Sequence, residues 1–486
     1  MKKQTFLALA LFISLSFFVK AQTGYLGGDI TWTCVGQDSF VIKVVLYTDC
    51  NQEAVPSSIQ IPIKCKQTGS LIETMTINKP SPVDITPTCG ASCTRCLDSN
   101  CAFPYGIEQY TFINLFVIPS SVSCCDISIS FTACCRSKAF TNIQKGSPFH
   151  LEAWFNRCIS PGDNSPTFTN PPIAIICRDM DFVFCHGVVD IDVRPSGGLL
   201  DSLSYEWTSP LISSTASVTY NSSFTYDKPI SFWGYPHANL PFPRGFHLDK
   251  VVGQISFRPD SLSFSSMAEK VTEHRNGQII GEITRDIAII VIQCPKNNAP
   301  VLAGPFYKEV VSGNAVNFSI STNDYDTKDT LLISWNGAIP GGVWTDNNKQ
   351  VKHPTGQLTW TPTLSQARAM PYTFTVRVKD DACPINAGNT RAYQILVRAY
   401  PKSIEESIIE SITIYPNPAT NKLVIELDQP TLVNSIKLFN SIGEIMLEKG
   451  ESYIPTTLEL NNLNSGVYIL QIEMDTQKIQ RQILIK

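Results

Sequence analysis

Two kinds of side chain in this 486-residue sequence are spaced as chemistry would require, aspartates and cysteines. Asp324-Tyr325-Asp326 is followed closely by Asp329, and Asp380-Asp381 stands further along the chain. Carboxylates two apart in an extended segment face the same side, and an acid on a neighbouring strand completes the oxygen cage that a hard cation such as Ca2+ takes. Asp190, Asp192, Asp201 and Glu273 repeat this arrangement upstream. The expected calcium ligands are therefore Asp324, Asp326, Asp329 and Asp380 with Asp381, and Asp190 and Asp192 with their neighbours. The bland reading makes them solvated residues of Asx-turns.

Of the 16 cysteines, 14 lie between Cys34 and Cys185, and only Cys294 and Cys383 lie downstream. An even count and this density read as a disulfide framework from an oxidising compartment. The run Cys89, Cys93, Cys96, Cys101 also has spacings that could close a tetrahedral zinc site. Cys124-Cys125 and Cys134-Cys135 argue for oxidation instead. Adjacent residues of a strand point to opposite faces, so each such pair could tie one strand to two different neighbours.

Enzymatic constellations fail on inventory. The six histidines form no HExxH, and no serine sits in a Gly-x-Ser-x-Gly elbow. Papain-type chemistry would need a free, activated cysteine beside a histidine. Two carboxylates suffice for a glycosidase, so a secreted hydrolase or its carbohydrate-binding accessory is the competing reading. For contact with a surface glycan or protein, the candidates are Phe232-Trp233-Gly234-Tyr235 with His237 and Phe242, chiefly Trp233 and Tyr235. Rigid aromatics on a long loop offer large contact area at small entropy cost.

The elements that must position these residues are strands. Charged residues are only 16% of the chain, and no stretch sustains a helical period. A formal charge of −4 gives no reason to expect nucleic acid as a partner. Residues 164–295 and 298–399 carry the same elements in the same order. Asp201 to Trp207 matches Asp329 to Trp335, and Val252-Gly253-Gln254-Ile255 to Pro259 matches Thr355-Gly356-Gln357-Leu358 to Pro362. Val271-Thr272-Glu273 then matches Val378-Lys379-Asp380, and Arg285-Asp286-Ile287 matches Arg391-Ala392-Tyr393. The first copy has an insertion between its second and third elements, holding Tyr226, Trp233, Tyr235 and Phe242.

The expected organisation is all-β, with tandem immunoglobulin-like or cadherin-like sandwiches, disulfide-rich at the N-terminal end. It comprises a signal peptide over 1–21, a Cys-rich sandwich over 22–161, repeats over 162–295 and 296–400, a linker over 401–411 and a small β-sandwich over 412–486. Met1 to Ala21 has the basic start, the apolar run and the Val19-Lys20-Ala21 end of a secretory signal, with cleavage expected before Gln22. That run is too short to span a bilayer, and no other segment suits one, so the mature chain is expected to lack a transmembrane segment.

The closing segment has its own punctuation: Tyr415-Pro416-Asn417-Pro418-Ala419, a turn at Phe439-Asn440-Ser441-Ile442-Gly443, then Ser465-Gly466-Val467-Tyr468 and a basic-ended final strand. These motifs resemble the type A C-terminal sorting domain of the type IX secretion system of Bacteroidetes-type bacteria. The resemblance implies Tyr415, Pro416, Asn417, Pro418, Gly443, Gly466 and Tyr468 as the sorting signal. It also implies the translocon and its sorting peptidase as partners, a cut near the 401–411 linker, and a product released outside or attached to the outer membrane's outer surface. The phrases Gly27 to Trp32, Leu46 to Cys50, Tyr105 to Tyr110 and Cys135-Arg136-Ser137 resemble the N-terminal module of gliding-motility-associated surface proteins. Each repeat resembles cadherin-like or dystroglycan-type immunoglobulin sandwiches.

Overall fold

The structure is a computed structural model that describes residues 24–52, 55–90, 92–189, 202–233, 245–294, 297–399, 412–427, 430–440, 443–474 and 478–486. The expected signal peptide, Asp190, Asp192, Asp201, Tyr235, His237, Phe242 and the linker after Ala399 lie outside these residues. The described residues hold β-strands and a single 3-10 turn, Leu364–Gln366. Two units separate, one ending at Ala399 and one beginning at Tyr400.

In the first unit, alternation of apolar and polar residues sets which face of each strand turns inward. Ser58–Cys65, for instance, alternates buried Ile59, Ile61 and Ile63 with more exposed partners. Nine strands follow one hydrogen-bonded path: Leu71–Asn78, Ser58–Cys65, Asp126–Ala133, Phe149–Asn156, Gln278–Ile292, Tyr25–Gly36, Ser39–Asp49, Ile107–Val117 and Val83–Asp84. The sheet curls, so strands from opposite ends of this path share one core, with Ile61 and Met75 joining Ile42, Phe112 and Trp32.

The downstream repeat, 298–399, is a sandwich of two four-stranded sheets. One runs Val301–Ala303, Val316–Asn323, Thr355–Trp360, Val343–Asp346; the other runs Tyr307–Val311, Gly388–Arg398, Tyr372–Lys379, Leu332–Trp335. Phe318, Trp360, Phe374 and Tyr393 fill the space between them. The upstream repeat has the same pairing scheme. Ile173–Cys177 runs parallel to Gln278–Ile292, which pairs antiparallel with Ser263–Arg275, and that strand with Ser202–Thr208. Phe182–Cys185, Gln254–Phe257 and His247–Leu248 make the facing sheet. Register agrees too. Trp207 lies opposite Glu269, which lies opposite Arg285, and Trp335 lies opposite Val376, which lies opposite Arg391.

The boundary expected at residue 161 is not a boundary of pairing. The hairpin strands Ser263–Arg275 and Gln278–Ile292 have 13 and 15 residues, against 8 and 11 in the other copy. Their surplus length enters the N-terminal sheet: Gly281 to Ile283 pair with Ala153 to Phe155, and Asp286 pairs with Gly28. The N-terminal strands and the first repeat therefore share a single 14-stranded sheet. Buried ion pairs lie along this seam, with Arg136 on Asp286 and Arg285 Nε 3.1 Å from Asp29 Oδ2. Arg285 also donates to the Asn170 carbonyl and contacts His186 Nδ1. Nearby Glu269 is fully buried and neither carboxyl oxygen has a hydrogen bond, so burial pushes its pKa up to about 8 against the opposing pull of Arg285.

The cysteines form seven disulfides: Cys50–Cys96, Cys65–Cys124, Cys89–Cys383, Cys93–Cys101, Cys125–Cys158, Cys134–Cys135 and Cys177–Cys294. The run from Cys89 to Cys101 is consumed by three of these bonds, which removes the zinc reading. Cys124 and Cys125 do tie one strand to two neighbours, whereas Cys134 and Cys135 bond to each other.

In the second unit, Thr413–Tyr415, Lys422–Glu426 and Thr456–Glu459 form one sheet. Ile445–Lys449, Ser435–Phe439, Gly466–Glu473 and Lys478–Ile485 form another. Leu423, Ile425, Leu438, Leu470 and Ile483 make its core.

Candidate functional site

Three acidic residues of the downstream repeat converge. Asp324 follows the strand Val316–Asn323, Asp380 follows Tyr372–Lys379, and Asp329 lies on the loop before Leu332–Trp335. One carboxylate oxygen of each lies within 4.8 Å of the others. The Asp324 carboxyl is nearly buried; its Oδ1 accepts from the Asp326 N–H at 2.9 Å, and its Oδ2 has no hydrogen bond. Asp380 Oδ1 accepts from the Ala387 and Ala382 N–H groups, and Oδ2 from Asn297 Nδ2 at 2.9 Å. Burial is the main reason all three titrate high. Asp380 is pushed up to about 6, with the Asp329 charge adding to the effect. Asp324 and Asp329 are raised by burial and then by the acids around them, Asp326 among them in both cases. Hard oxygens crowded together with one left orphaned are the donor set that a calcium ion takes up.

Asp326 does not join this group. Its Oδ2 accepts from the Asn298 N–H at 2.6 Å, so it fastens the incoming chain between the repeats. Asp381 likewise accepts from the Thr330 N–H at 2.9 Å. In the upstream repeat the register counterpart of Asp380 is Glu273, which is buried.

The aromatic insertion divides in two. Phe232 stacks on Phe246 with ring centroids 5.7 Å apart and belongs to the core of the upstream repeat. Trp233 is 50% exposed, while its indole N–H donates to Asp179 Oδ1 at 2.8 Å. The start of the insertion lies against the N-terminal sheet: Leu211 pairs with His150, and the Leu211 carbonyl accepts from Arg136.

Two cysteines are free, Cys34, whose thiol donates to the Gly36 carbonyl, and Cys185. Cys185 is reduced but buried, donates to the Val252 carbonyl, and is pushed up to about 12 by burial, the reverse of an activated thiolate.

In the C-terminal unit the motif residues have separate duties. Asn417 binds the last strand twice, donating to the Gln482 carbonyl and accepting from the Leu484 N–H, both at 2.9 Å. Ala419, completely buried, continues that contact through its N–H to Leu484 and its carbonyl from Lys486. Tyr415, Pro416, Asn417 and Pro418 are exposed in a row. Gly443 has φ +87°, a left-handed conformation that L side chains rarely adopt, and its N–H donates to the Asn440 carbonyl. Gly466 opens the strand Gly466–Glu473, and buried Tyr468 donates its hydroxyl to the Asn464 carbonyl at 2.9 Å.

Residues 413–486 match the family described as the secretion system C-terminal sorting domain. This chain carries a type IX sorting tail. Residues 299–397 match the family described as a putative Ig domain. No curated protein matches the chain. Among solved structures, the chain is similar to protocadherin gamma B2 extracellular cadherin domains 1–5, at 11% identity and a TM-score of 0.22, over 93% of this chain and 86% of that one. It is also similar to the mouse nectin-like molecule 4 ectodomain, at 12% identity and 0.19, over 65% and 97%. An endo-fucoidan hydrolase of glycoside hydrolase family 107 matches at 14% and 0.17, over 51% and 38%. At such scores these likenesses carry no functional argument.

The sorting tail implies export to the outer surface or the medium, and interaction with the type IX machinery. No helix among the described residues is long and apolar enough to cross a membrane. Sequence reasoning missed the ion-paired seam around Arg285. Its signal was the Arg285/Arg391 element of the repeat, which reads as mere strand without the register.

Proposed function

We propose that the chain, after signal-peptide cleavage before Gln22, is exported through the type IX route as a non-enzymatic surface or released scaffold with an adhesive or gliding-associated role. The observation that carries this reading is the sorting tail behind an immunoglobulin-like assembly braced by seven disulfides. Such bracing suits an oxidising exterior, and rigid tandem sandwiches present loops at a distance from the cell. The exposed run Tyr415 to Pro418 is the face offered to the translocon, and the sorting peptidase cuts in the 401–411 linker. Trp233 and Tyr235 contribute to a contact with a surface glycan or protein.

Calcium is the cofactor of this reading. Asp324, Asp329 and Asp380 hold it, which rigidifies the loops that meet the inter-repeat segment at Asn297 and Asn298. Asp190 and Asp192 are the proposed ligands of the upstream copy.

Fractionating cells that express the chain with and without residues 412–486 tests the route. The intact chain is expected outside the outer membrane and the truncated chain inside it. Equal arrival outside refutes the export claim, and turnover of polysaccharide or peptide by the exported product refutes the non-enzymatic one.

A further inference from the structure

Three parts of the first unit meet around a cleft of about 260 Å³ that the calcium and sorting readings leave unused. The N-terminal part contributes the loop Ile85 to Thr88, the upstream repeat contributes Ile175, Phe182 and Phe184, and the downstream repeat contributes Ile385, Arg377 and Lys379. The frame around it is tied at several points. Cys89–Cys383 is a disulfide, Thr88 bridges Ile385, the Val183 N–H donates to Asn389 Oδ1 at 2.9 Å, and the Ala392 N–H donates to Gln254 Oε1 at 3.1 Å. The cleft is thus preformed, which spares a ligand the cost of ordering it.

The walls mix apolar side chains with polar groups, and two cations stand among them. Arg377 and Lys379 are two apart on the strand Tyr372–Lys379, so their side chains leave the same face of the sheet. Neither has an ion pair or side-chain hydrogen bond to any described residue, in contrast to Arg136 and Arg285, which are paired. The one acid in the wall, Asp181, has a partner of its own. Arg377 is exposed at its strand position, and the protein around it lowers the pKa of its guanidinium by desolvation, with no acid offsetting the effect. Two cations without an acidic partner on the wall of a preformed cleft are free to donate charge-assisted hydrogen bonds to an anion that enters it.

We propose that this cleft binds a small amphipathic anion, an apolar body seated against Ile175, Phe182, Phe184 and Ile385 with one carboxylate or sulfonate held by Arg377 and Lys379. The charge pair sets the class: a neutral apolar molecule leaves both cations bare, and a small inorganic anion leaves the apolar wall uncovered.

Fluorescence titration of the full oxidised chain tests this with two dyes of similar ring system, the sulfonate 8-anilinonaphthalene-1-sulfonate and the uncharged N-phenyl-1-naphthylamine. The sulfonate is expected to bind at one site per chain and to be displaced by decanoate but not by decanol. R377Q/K379Q is expected to weaken the sulfonate dye at least tenfold, to leave the neutral dye unchanged, and to keep the parent melting temperature. If the charged variant binds the sulfonate as tightly as the parent, or if decanol competes as well as decanoate, the assignment is wrong. Absence of saturable dye binding to the folded chain overturns it as well. A separate variant, Lys145→Gln, removes an exposed cation outside the cleft and is expected to leave the binding of both dyes unchanged.

Discussion

Removing one carboxylate from the acidic triad of the downstream repeat should abolish a calcium response without loosening the calcium-free fold. Asp324→Asn is the suitable change. Its oxygen still accepts the Asp326 N–H, while the amide nitrogen replaces the orphaned Oδ2 and faces two neighbouring carboxylates. The magnitude follows from Asp380, raised from 3.8 to about 6. A carboxyl with a raised folded-state pKa takes up a proton that the unfolded chain releases, so stability is lost as pH climbs from about 4 through 6. At about 1.4 kcal/mol per unit that loss approaches 3 kcal/mol, and hydration of the outer edge of the site reduces it to about 1–2 kcal/mol. If the triad takes up calcium as proposed, the ion at about 100 times its dissociation constant is expected to add about 2.7 kcal/mol at pH 7.5. With each kcal/mol worth at most about 2–4 °C for a unit of this size, the melting temperature should rise by about 5–10 °C. At pH 5 the ion must displace a proton from Asp380, which weakens binding about tenfold and halves the shift. Differential scanning calorimetry of the full chain with calcium or chelator at both pH values reads this out. A calcium shift that is equal at pH 5 and 7.5, or that survives Asp324→Asn, refutes the reasoning.

Three further outcomes are expected. Glu269, raised by burial from 4.5 to about 8, makes the first unit lose stability as pH rises across that interval. Glu269→Gln should flatten the slope, by up to about 5 kcal/mol between the extremes in urea melts, and an unchanged slope would show that the carboxyl titrates normally. Replacing Cys89 and Cys383 together by alanine should cost about 2–4 kcal/mol and weaken sulfonate-dye binding at the cleft, whereas intact dye affinity would mean the bond does not frame that site. Asn417→Ala removes both side-chain hydrogen bonds to the last strand and should destabilise the sorting unit by about 1–3 kcal/mol, with a matching drop in exported protein. Normal export of that variant would separate the motif's role in sorting from its role in folding.

Much of this architecture is legible in residue order. Alternating strands such as Val316–Asn323 announce themselves because a strand's geometry sends neighbours to opposite faces whatever else the chain does. The two repeats are visible for the same reason, since Trp207 and Trp335, or Arg285 and Arg391, hold the same place in a local pattern that recurs. The sorting tail reads clearly because its prolines and Gly443 act on the backbone within a few residues of themselves, whereas the hold of Asn417 on the last strand is long-range. What the residues alone could not say concerns partners distant along the chain. That Asp286 would lie beside Gly28 and merge two expected domains into one sheet depends on the extra length of a hairpin packing against strands laid down far earlier. Which cysteines would pair, that Asp326 would hold Asn298 instead of facing Asp324, and that Arg377 and Lys379 would open onto a cleft between three parts were decided by the same long-range packing. Local sequence sets the direction of a side chain relative to its own strand, and only the closed fold supplies what stands in front of it.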